Sequence, residues 1–192
     1  MRRIKPRPRL AGLSFEMAQS TIELQVEKIG QLFDTFDPMP FRERDLDRNA
    51  EEYIVGWARE LPRHHRIRLR VHMPAAEASR ENITAVKDAF SRYFRYRADA
   101  TAGSLRELFR IGRYSMLVGL LVLALCIALG QFLGSLPVAQ PFGTFIKEGL
   151  IILGWVANWR PIEIFIYDWW PIVRRHKLFT RLAAAEVEIS QR

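Results

Sequence analysis

One stretch of the chain, from Tyr114 to Trp159, contains only two charged side chains, those of Lys147 and Glu148. Its first part reads SMLVGLLVLALCIALGQFLGSL. In a helix, about 20 apolar residues are long enough to cross a hydrocarbon core of roughly 30 Å. The sequence therefore predicts a transmembrane helix over residues 115–136.

A second apolar segment, residues 142–159, is long enough to cross as about 18 residues. Pro161 predicts that this helix bends or ends there. The connection between the two segments carries no charge, whereas basic residues flank both of them. The flanking arginines that we expect to meet anionic lipid headgroups are Arg106, Arg110, Arg113, Arg174 and Arg175. The positive-inside rule then places both termini in the cytoplasm.

Aromatic and charged residues alternate just after the second segment, in the run RPIEIFIYDWWPIVRR. Tryptophan and tyrosine are enriched at membrane–water interfaces. We assign an interfacial position to Trp155, Trp159, Arg160, Glu163, Tyr167, Trp169 and Trp170. The remaining tail, up to Ile189, predicts a basic amphipathic helix that lies on the membrane or packs on a soluble domain.

Two segments before the membrane region alternate apolar and polar residues, as half-buried strands do. They read TIELQVE, from Thr21, and RHHRIRLRVHMP, from Arg63. If the strands are neighbours, Glu23 and Glu27 lie opposite the row of Arg66, Arg68 and Arg70. The other interpretation of that row is a phosphate-binding face.

A segment whose apolar residues recur at helical spacing follows each predicted strand. One helix begins near Asp45 or Asp47 and ends at Pro62, with Glu51 and Glu52 solvated in its first turn. The next is capped by Ser79, and the sequence ATAGS predicts a short break after it. Residues 15–100 are therefore predicted to form a cytoplasmic α/β domain. A further strand, near Leu13 to Met17 or from another protomer, is needed because two strands are marginal.

Residues 1–14 carry five Lys or Arg and two prolines, which predicts a disordered basic arm that is solvated or contacts lipid or RNA. The net charge of +8 fits anionic lipid in a membrane protein, and we expect no nucleic-acid partner. The one cysteine, Cys126, excludes an intrachain disulfide. His64 and His65 point to opposite strand faces, so only two of His64, His65 and His72 could share a metal, and we predict neither a metal nor another cofactor. No secretory signal precedes the first apolar helix, which must direct targeting itself.

Polar and small residues within the apolar segments give further candidate sites. Gly130 and Gly134 form a GxxxG motif that Cys126 extends, and it allows a close approach by the second segment, self-association, or neither. Glu148 is costly inside hydrocarbon, so we predict that it is buried between helices with Gln131. Lys147 can extend its ammonium outward. The alternative places Glu148 among the outer headgroups.

The blocks FDPMPFRERDLDRNAEEYIVGWARELP and EGLIILGWVANWRPIEIFIYDWWP resemble the two signature blocks of a family of small bacterial two-pass inner-membrane proteins. The resemblance covers roughly positions 20 to 182. It implies two spans in the bacterial inner membrane, and it implies no activity and no catalytic residue.

The predicted fold is an α+β membrane protein. A small cytoplasmic α/β domain precedes a juxtamembrane segment and two-helix transmembrane hairpin, residues 104–160, and interfacial and amphipathic helices over residues 161–192. The predicted function is a non-catalytic scaffold or accessory subunit of a membrane assembly, as a homo-oligomer or in a larger complex. The alternative is a homo-oligomeric channel or transporter that uses Glu148.

Overall fold

The computed structural model describes residues 21–34, 45–62, 65–135 and 142–191. The elements are β1 (Thr21–Gln25), α1 (Arg48–Glu60), β2 (Arg68–Met73), α2 (Arg80–Gly134), α3 (Gly143–Glu163), a π-helical turn (Ile164–Asp168), α4 (Trp169–Ala183) and β3 (Glu186–Gln191). Two compact units result. Of the described residues, the sheet unit holds those up to Asp99 and from Arg175 onward, and the apolar-helix unit holds those from Ala100 to Arg174.

The three strands form one parallel sheet in the order β1-β2-β3. Arg70 of β2 lies opposite Glu23 of β1 and Glu188 of β3. The third strand is therefore formed by residues 186–191. The amphipathic helix that was predicted to extend to Ile189 ends at Ala183. The reason lies in the sequence EVEIS, whose strict alternation suits a half-buried strand better than a helix. The segment near Leu13 to Met17 lies outside the described residues.

The core of the sheet unit lies on one face of the sheet, beneath α1, the first part of α2 and the last part of α4. Strand alternation buries Leu69 and Val71, and α2 contributes Phe94, which is fully buried. Phe179 and Leu182 of α4 belong to the same core. The tail from Arg175 onward therefore packs within the sheet unit.

Two helix starts follow their predicted caps. Asp47 Oδ1 accepts hydrogen bonds from the backbone N–H groups of Asn49 and Ala50, at 2.9 and 3.3 Å, and α1 begins at the next residue. Ser79 Oγ accepts from the N–H of Asn82 at 3.2 Å, where α2 begins. Both side chains occupy N–H groups that have no partner within the helix.

Two positions that were predicted to interrupt a helix do not end one. Residues 100–104 do not break α2, because Gly103 is the only strong helix breaker there and costs only about 1 kcal/mol relative to alanine. Pro161 does not end α3, which continues to Glu163 and into the π-helical turn. The turn gives the Ile164 N–H two acceptors, the carbonyls of Arg160 and Pro161. The helices Arg80–Gly134 and Gly143–Ala183 are both long and apolar enough to cross a membrane.

Candidate functional site: the apolar helix pair

Residues without large side chains line the contact between α2 and α3. Along the antiparallel pair, Gly112 meets Ile164, Gly119 meets Asn158, Gly154 meets Leu123 and Cys126, Gly130 meets Lys147, and Gly134 meets Gly143. A Cβ atom added at Gly154 would lie 3.1 Å from the Cα of Leu123 and 2.6 Å from its Cδ1. Glycine at this position therefore allows the two backbones to approach closely.

Asn158 joins the two helices by hydrogen bonds, and sequence reasoning missed it. Its side chain is 5% exposed, and its Nδ2 donates to the carbonyl oxygens of Gly119, at 3.0 Å, and Gly154, at 2.9 Å. Within the described part of the chain, its Oδ1 has no hydrogen-bond partner. The available signal was an amide in an otherwise apolar run, four residues after a glycine. This arrangement fixes the register of the two helices.

The predicted packing residues lie along this contact. Cys126 is buried, and its Cβ is 3.4 Å from the position of a Cβ at Gly154. Gly130 is also buried, and a Cβ there would lie 3.4 Å from the Cα and 3.5 Å from the Cγ of Lys147. A Cβ at Gly134 would lie 3.9 Å from the carbonyl oxygen of Gly143. The structure thus places all three residues of the motif against α3 of the same chain.

Glu148 and Gln131 do not lie between the two helices, in contrast to the prediction. Both side chains are exposed within the chain. Each follows a contact residue, Lys147 or Gly130, by one position, which rotates it by about 100° around its helix and away from the other helix. Lys147 is exposed as well, with its stem over Gly130. These three polar side chains therefore form a band at one level of the pair, on its outside.

We define the outer stripe of α3 as Glu148, Ile152, Trp155 and Trp159, which recur three and four residues apart and so share one face. The three apolar members are strongly exposed: Ile152 is 64%, Trp155 61% and Trp159 69% exposed. They line an open groove of about 570 Å³ together with Val156, Arg160 and Ile162. The stripe faces away from α2.

Arg160 binds two carboxylates at the end of α3. Its Nη1 lies 2.9 Å from Glu163 Oε2 and 3.0 Å from Asp168 Oδ2. In a regular helix the residue on the same face is seven positions on, which is Tyr167. The π-helical turn adds one residue, so Asp168 takes that place instead. The cluster therefore carries a net charge of −1, and Arg160 is not free to bind an anion.

The other predicted interfacial aromatics surround this turn. Trp169 Nε1 donates to the carbonyl of Phe165 at 3.0 Å. Trp170 is 52% exposed, and the guanidinium of Arg174 lies 5.2 Å from its ring centroid. Tyr167 is 68% exposed. These side chains combine an apolar ring with a polar group, which suits a boundary between water and an apolar phase.

The predicted headgroup arginines are exposed. They are Arg106, Arg110 and Arg113 on α2, and Arg174 and Arg175 on α4. Across the described ranges no ion pair within the chain occupies any of them. Their charges are therefore available to an external anion.

The arginines of β2 have carboxylate partners that differ in part from the predicted ones. Arg70 lies 3.0 Å from Glu188 Oε2 and 3.5 Å from Glu23 Oε1, and Arg68 lies 3.3 Å from Glu186 Oε2. Glu27 is not a partner because β1 ends at Gln25. The carboxylates of β3 thus supply most of the pairing, and a phosphate-binding face is not supported.

Glu51 is not the solvated helix start that its position indicated. Its side chain is 14% exposed, its Oε1 lies 2.6 Å from Arg97 Nη2, and its Oε2 accepts a hydrogen bond from the hydroxyl of Tyr93 at 2.8 Å. Burial, together with this hydrogen bond, raises the pKa of Tyr93. The cluster ties α1 to α2 within the sheet unit.

Among residues 21–34, 45–62, 65–135 and 142–191, no three His, Cys, Asp or Glu side chains are grouped to hold an ion. His64 lies outside the described residues. Comparison of the chain with protein-family models, with curated proteins and with solved structures found no match.

Proposed function

We propose that this chain is a non-catalytic two-pass protein of the bacterial inner membrane, with both termini in the cytoplasm, that serves as a scaffold or accessory subunit of a membrane assembly. The observation that carries the proposal is the pairing of β3 with β2. It joins the residues before the apolar segments and the residues after them in one folded unit. Two segments of chain that share a sheet must lie on the same side of a membrane, so an even number of crossings separates them.

The apolar helices between these strands supply the two crossings. Their exposed side chains are mainly Leu, Ile, Val and Phe, which suits a lipid environment and not water. The glycine contacts and the Asn158 hydrogen bonds are the kind of interactions that associate helices when the hydrophobic effect cannot.

The distribution of charge supports the cytoplasmic side for the sheet unit. The exposed arginines Arg106, Arg110 and Arg113 precede the first apolar segment, and Arg174 and Arg175 follow the second. Positive charge of this kind is retained on the cytoplasmic side and attracts anionic lipid. We assign lipid headgroups to these five arginines.

Reporter fusions test the topology. A reporter that is active only in the cytoplasm should work after Arg192, and one that is active only outside it should work when inserted after Ser135. The reverse pattern would contradict the orientation. If the fusions after Ser135 and after Arg192 reported the same side of the membrane, two crossings would be contradicted.

The assembly role is tested by size. In native membranes solubilised with a mild detergent, the protein should migrate in a complex larger than one 22.4 kDa chain. A single chain at every protein concentration would contradict this role. The channel alternative rests on the exposed position of Glu148 and requires a ring of several copies, which the same measurement would count.

A further inference from the structure

We infer that the outer stripe of α3 binds a second copy of this chain, and that Lys147 and Glu148 exchange ion pairs across the contact. The inference rests on the proposed two-pass topology and specifies its partner. It begins from the polar band of Gln131, Lys147 and Glu148, which the fold leaves on the outside of the helix pair.

Glu148 lies within the apolar part of α3. It follows the first residue of the helix, Gly143, by about 7.5 Å and precedes Trp159 by about 16.5 Å, at about 1.5 Å per residue. An ionised carboxylate at such a position is costly unless it has a partner. In the parts of the chain that the structure covers, Glu148 has no ion pair or hydrogen bond. The same holds for Lys147, so both charges need a partner from elsewhere.

A second copy supplies complementary charge at the required depth. Copies inserted in the same orientation are related by a twofold axis along the membrane normal, so their α3 helices run parallel and equal residues lie at equal depth. Consecutive residues differ in depth by only about 1.5 Å. Lys147 of one copy therefore lies level with Glu148 of the other, and the symmetry forms the same pair a second time.

The direction of Lys147 is set within one chain. The stem of Lys147 passes over Gly130, which has no side chain to block it. The backbone of Lys147 therefore stays in contact with α2 while the ammonium group reaches the outside. Below the charges, Ile152, Trp155 and Trp159 continue the same face. A large, rigid side chain such as Trp155 in the middle of a contact is the type of residue that carries most of the binding energy.

Charge reversal tests the pairing. Glu148→Lys and Lys147→Glu should each weaken self-association at least about tenfold, and Lys147→Glu with Glu148→Lys together should restore it to about the wild-type value. The copy number is counted by single-molecule photobleaching in lipid vesicles of defined composition. Glu107→Lys, a reversal at an exposed residue of α2 before the apolar segment, is the matched control and should leave the copy number at two.

Two further variants avoid placing a new charge in the membrane. Glu148→Gln should insert more readily but associate more weakly, since it keeps the shape and loses the charge. Trp155→Ala should also weaken association, whereas Leu121→Ala, at a 63% exposed site of α2 that faces away from α3, should not.

Three results would overturn the inference. They are single copies of the wild type at all protein densities, a double reversal that associates no better than the single reversals, and a Glu148→Gln variant that associates like the wild type. A closed ring of more than two copies would overturn the twofold contact. Reporter fusions test the two-pass topology separately in each case. A complex larger than one chain in native membranes, together with single copies in vesicles, would contradict the twofold contact but not the assembly role.

Discussion

Gly119 and Asn158 show how a pair of residues can define the position of one helix on another. The Asn158 amide donates to the Gly119 carbonyl, and a Cβ atom at residue 119 would lie 2.6 Å from Asn158 Oδ1 and 3.2 Å from the carbonyl oxygen of Ala157. The second neighbour is backbone and cannot move aside by a rotation. The absence of a side chain at residue 119 is therefore required for the hydrogen bond.

Gly119→Ala should destabilise the helix pair by about 1–3 kcal/mol, because it overpacks the contact and displaces the Asn158 amide. Unfolding in mixed micelles of mild detergent and dodecyl sulfate measures the change. Gly149→Ala is the matched control, since a Cβ there meets nothing within 4 Å. Equal effects of the two variants would contradict the contact.

Tyr93 makes the sheet unit less stable as the pH becomes alkaline. Burial, and then the hydrogen bond to Glu51, raise its pKa in the folded state. Above about pH 10, the usual pKa of tyrosine, the unfolded chain releases the phenolic proton while the folded chain retains it. The unfolded state then binds fewer protons, and the free energy of unfolding falls as pH rises.

Tyr93→Phe should therefore lower stability at pH 7, where it loses the Glu51 hydrogen bond, and should flatten the decline above about pH 10. Chemical unfolding across pH 7 to 11 measures both effects. Tyr96→Phe, at a 64% exposed tyrosine of the same helix, is the control and should follow the wild type. Wild-type and Tyr93→Phe curves that run parallel would refute the role assigned to this phenol.

At the scale of elements, the sheet depends on its last strand. Glu186 and Glu188 of β3 pair with Arg68 and Arg70, while the apolar Val187 between them enters the core. These ion pairs are partly exposed, so solvent screens them and each contributes only a fraction of 1 kcal/mol to about 1 kcal/mol.

Glu188→Gln should lower the free energy of unfolding by about 0.5–1 kcal/mol at low salt, and by less at high salt. Glu27→Gln changes a carboxylate beyond the end of β1 and should have no such effect. Thermal unfolding at two salt concentrations compares the two variants. A larger loss in Glu27→Gln would restore the pairing that the sequence alone predicted.

Sequence periodicity was sufficient for several elements that depend on local pattern, although β3, whose residues alternate, was predicted as a helix. The alternation around Leu69, the caps Asp47 and Ser79, and the apolar segments are all properties of neighbouring residues. Glu23 was predicted as a partner of Arg70 and lies 3.5 Å from it. The second partner of Arg70, Glu188, and the partner of Glu51, Arg97, could not be predicted, because they are distant in sequence and only the fold brings them near. The exposed position of Glu148 depends on which face of α3 meets α2, and apolar residues all round the helix give no periodic signal for that face.

At the scale of the whole molecule, the path of the chain leaves the sheet unit through α2 and returns to it through α4 and β3. Central strand β2 precedes the apolar segments, and its neighbour β3 follows them. We propose that these strands pair while the segments between them cross a membrane twice. In that case the sheet unit can fold only after both helices have inserted, because only then does β3 lie on the same side of the membrane as β2.

A cross-link between β2 and β3 in intact membranes tests this claim most directly. With Cys126→Ala as background, cysteines at the paired positions His72 and Ser190 should form a disulfide, because neighbouring strands lie about 4.8 Å apart and a disulfide spans about 4.4–6.8 Å between Cα atoms. Cysteines at Gln25 and Ser190, on the two outer strands, should not.

In the same membranes, a cysteine at Ser135 should react with an impermeant maleimide only from the side opposite the one that labels Lys177→Cys, at an exposed position of α4. We predict a cross-linked His72–Ser190 pair together with labelling of these two sites from opposite sides. Absence of the cross-link in inserted protein, or labelling of both sites from one side, would contradict the account.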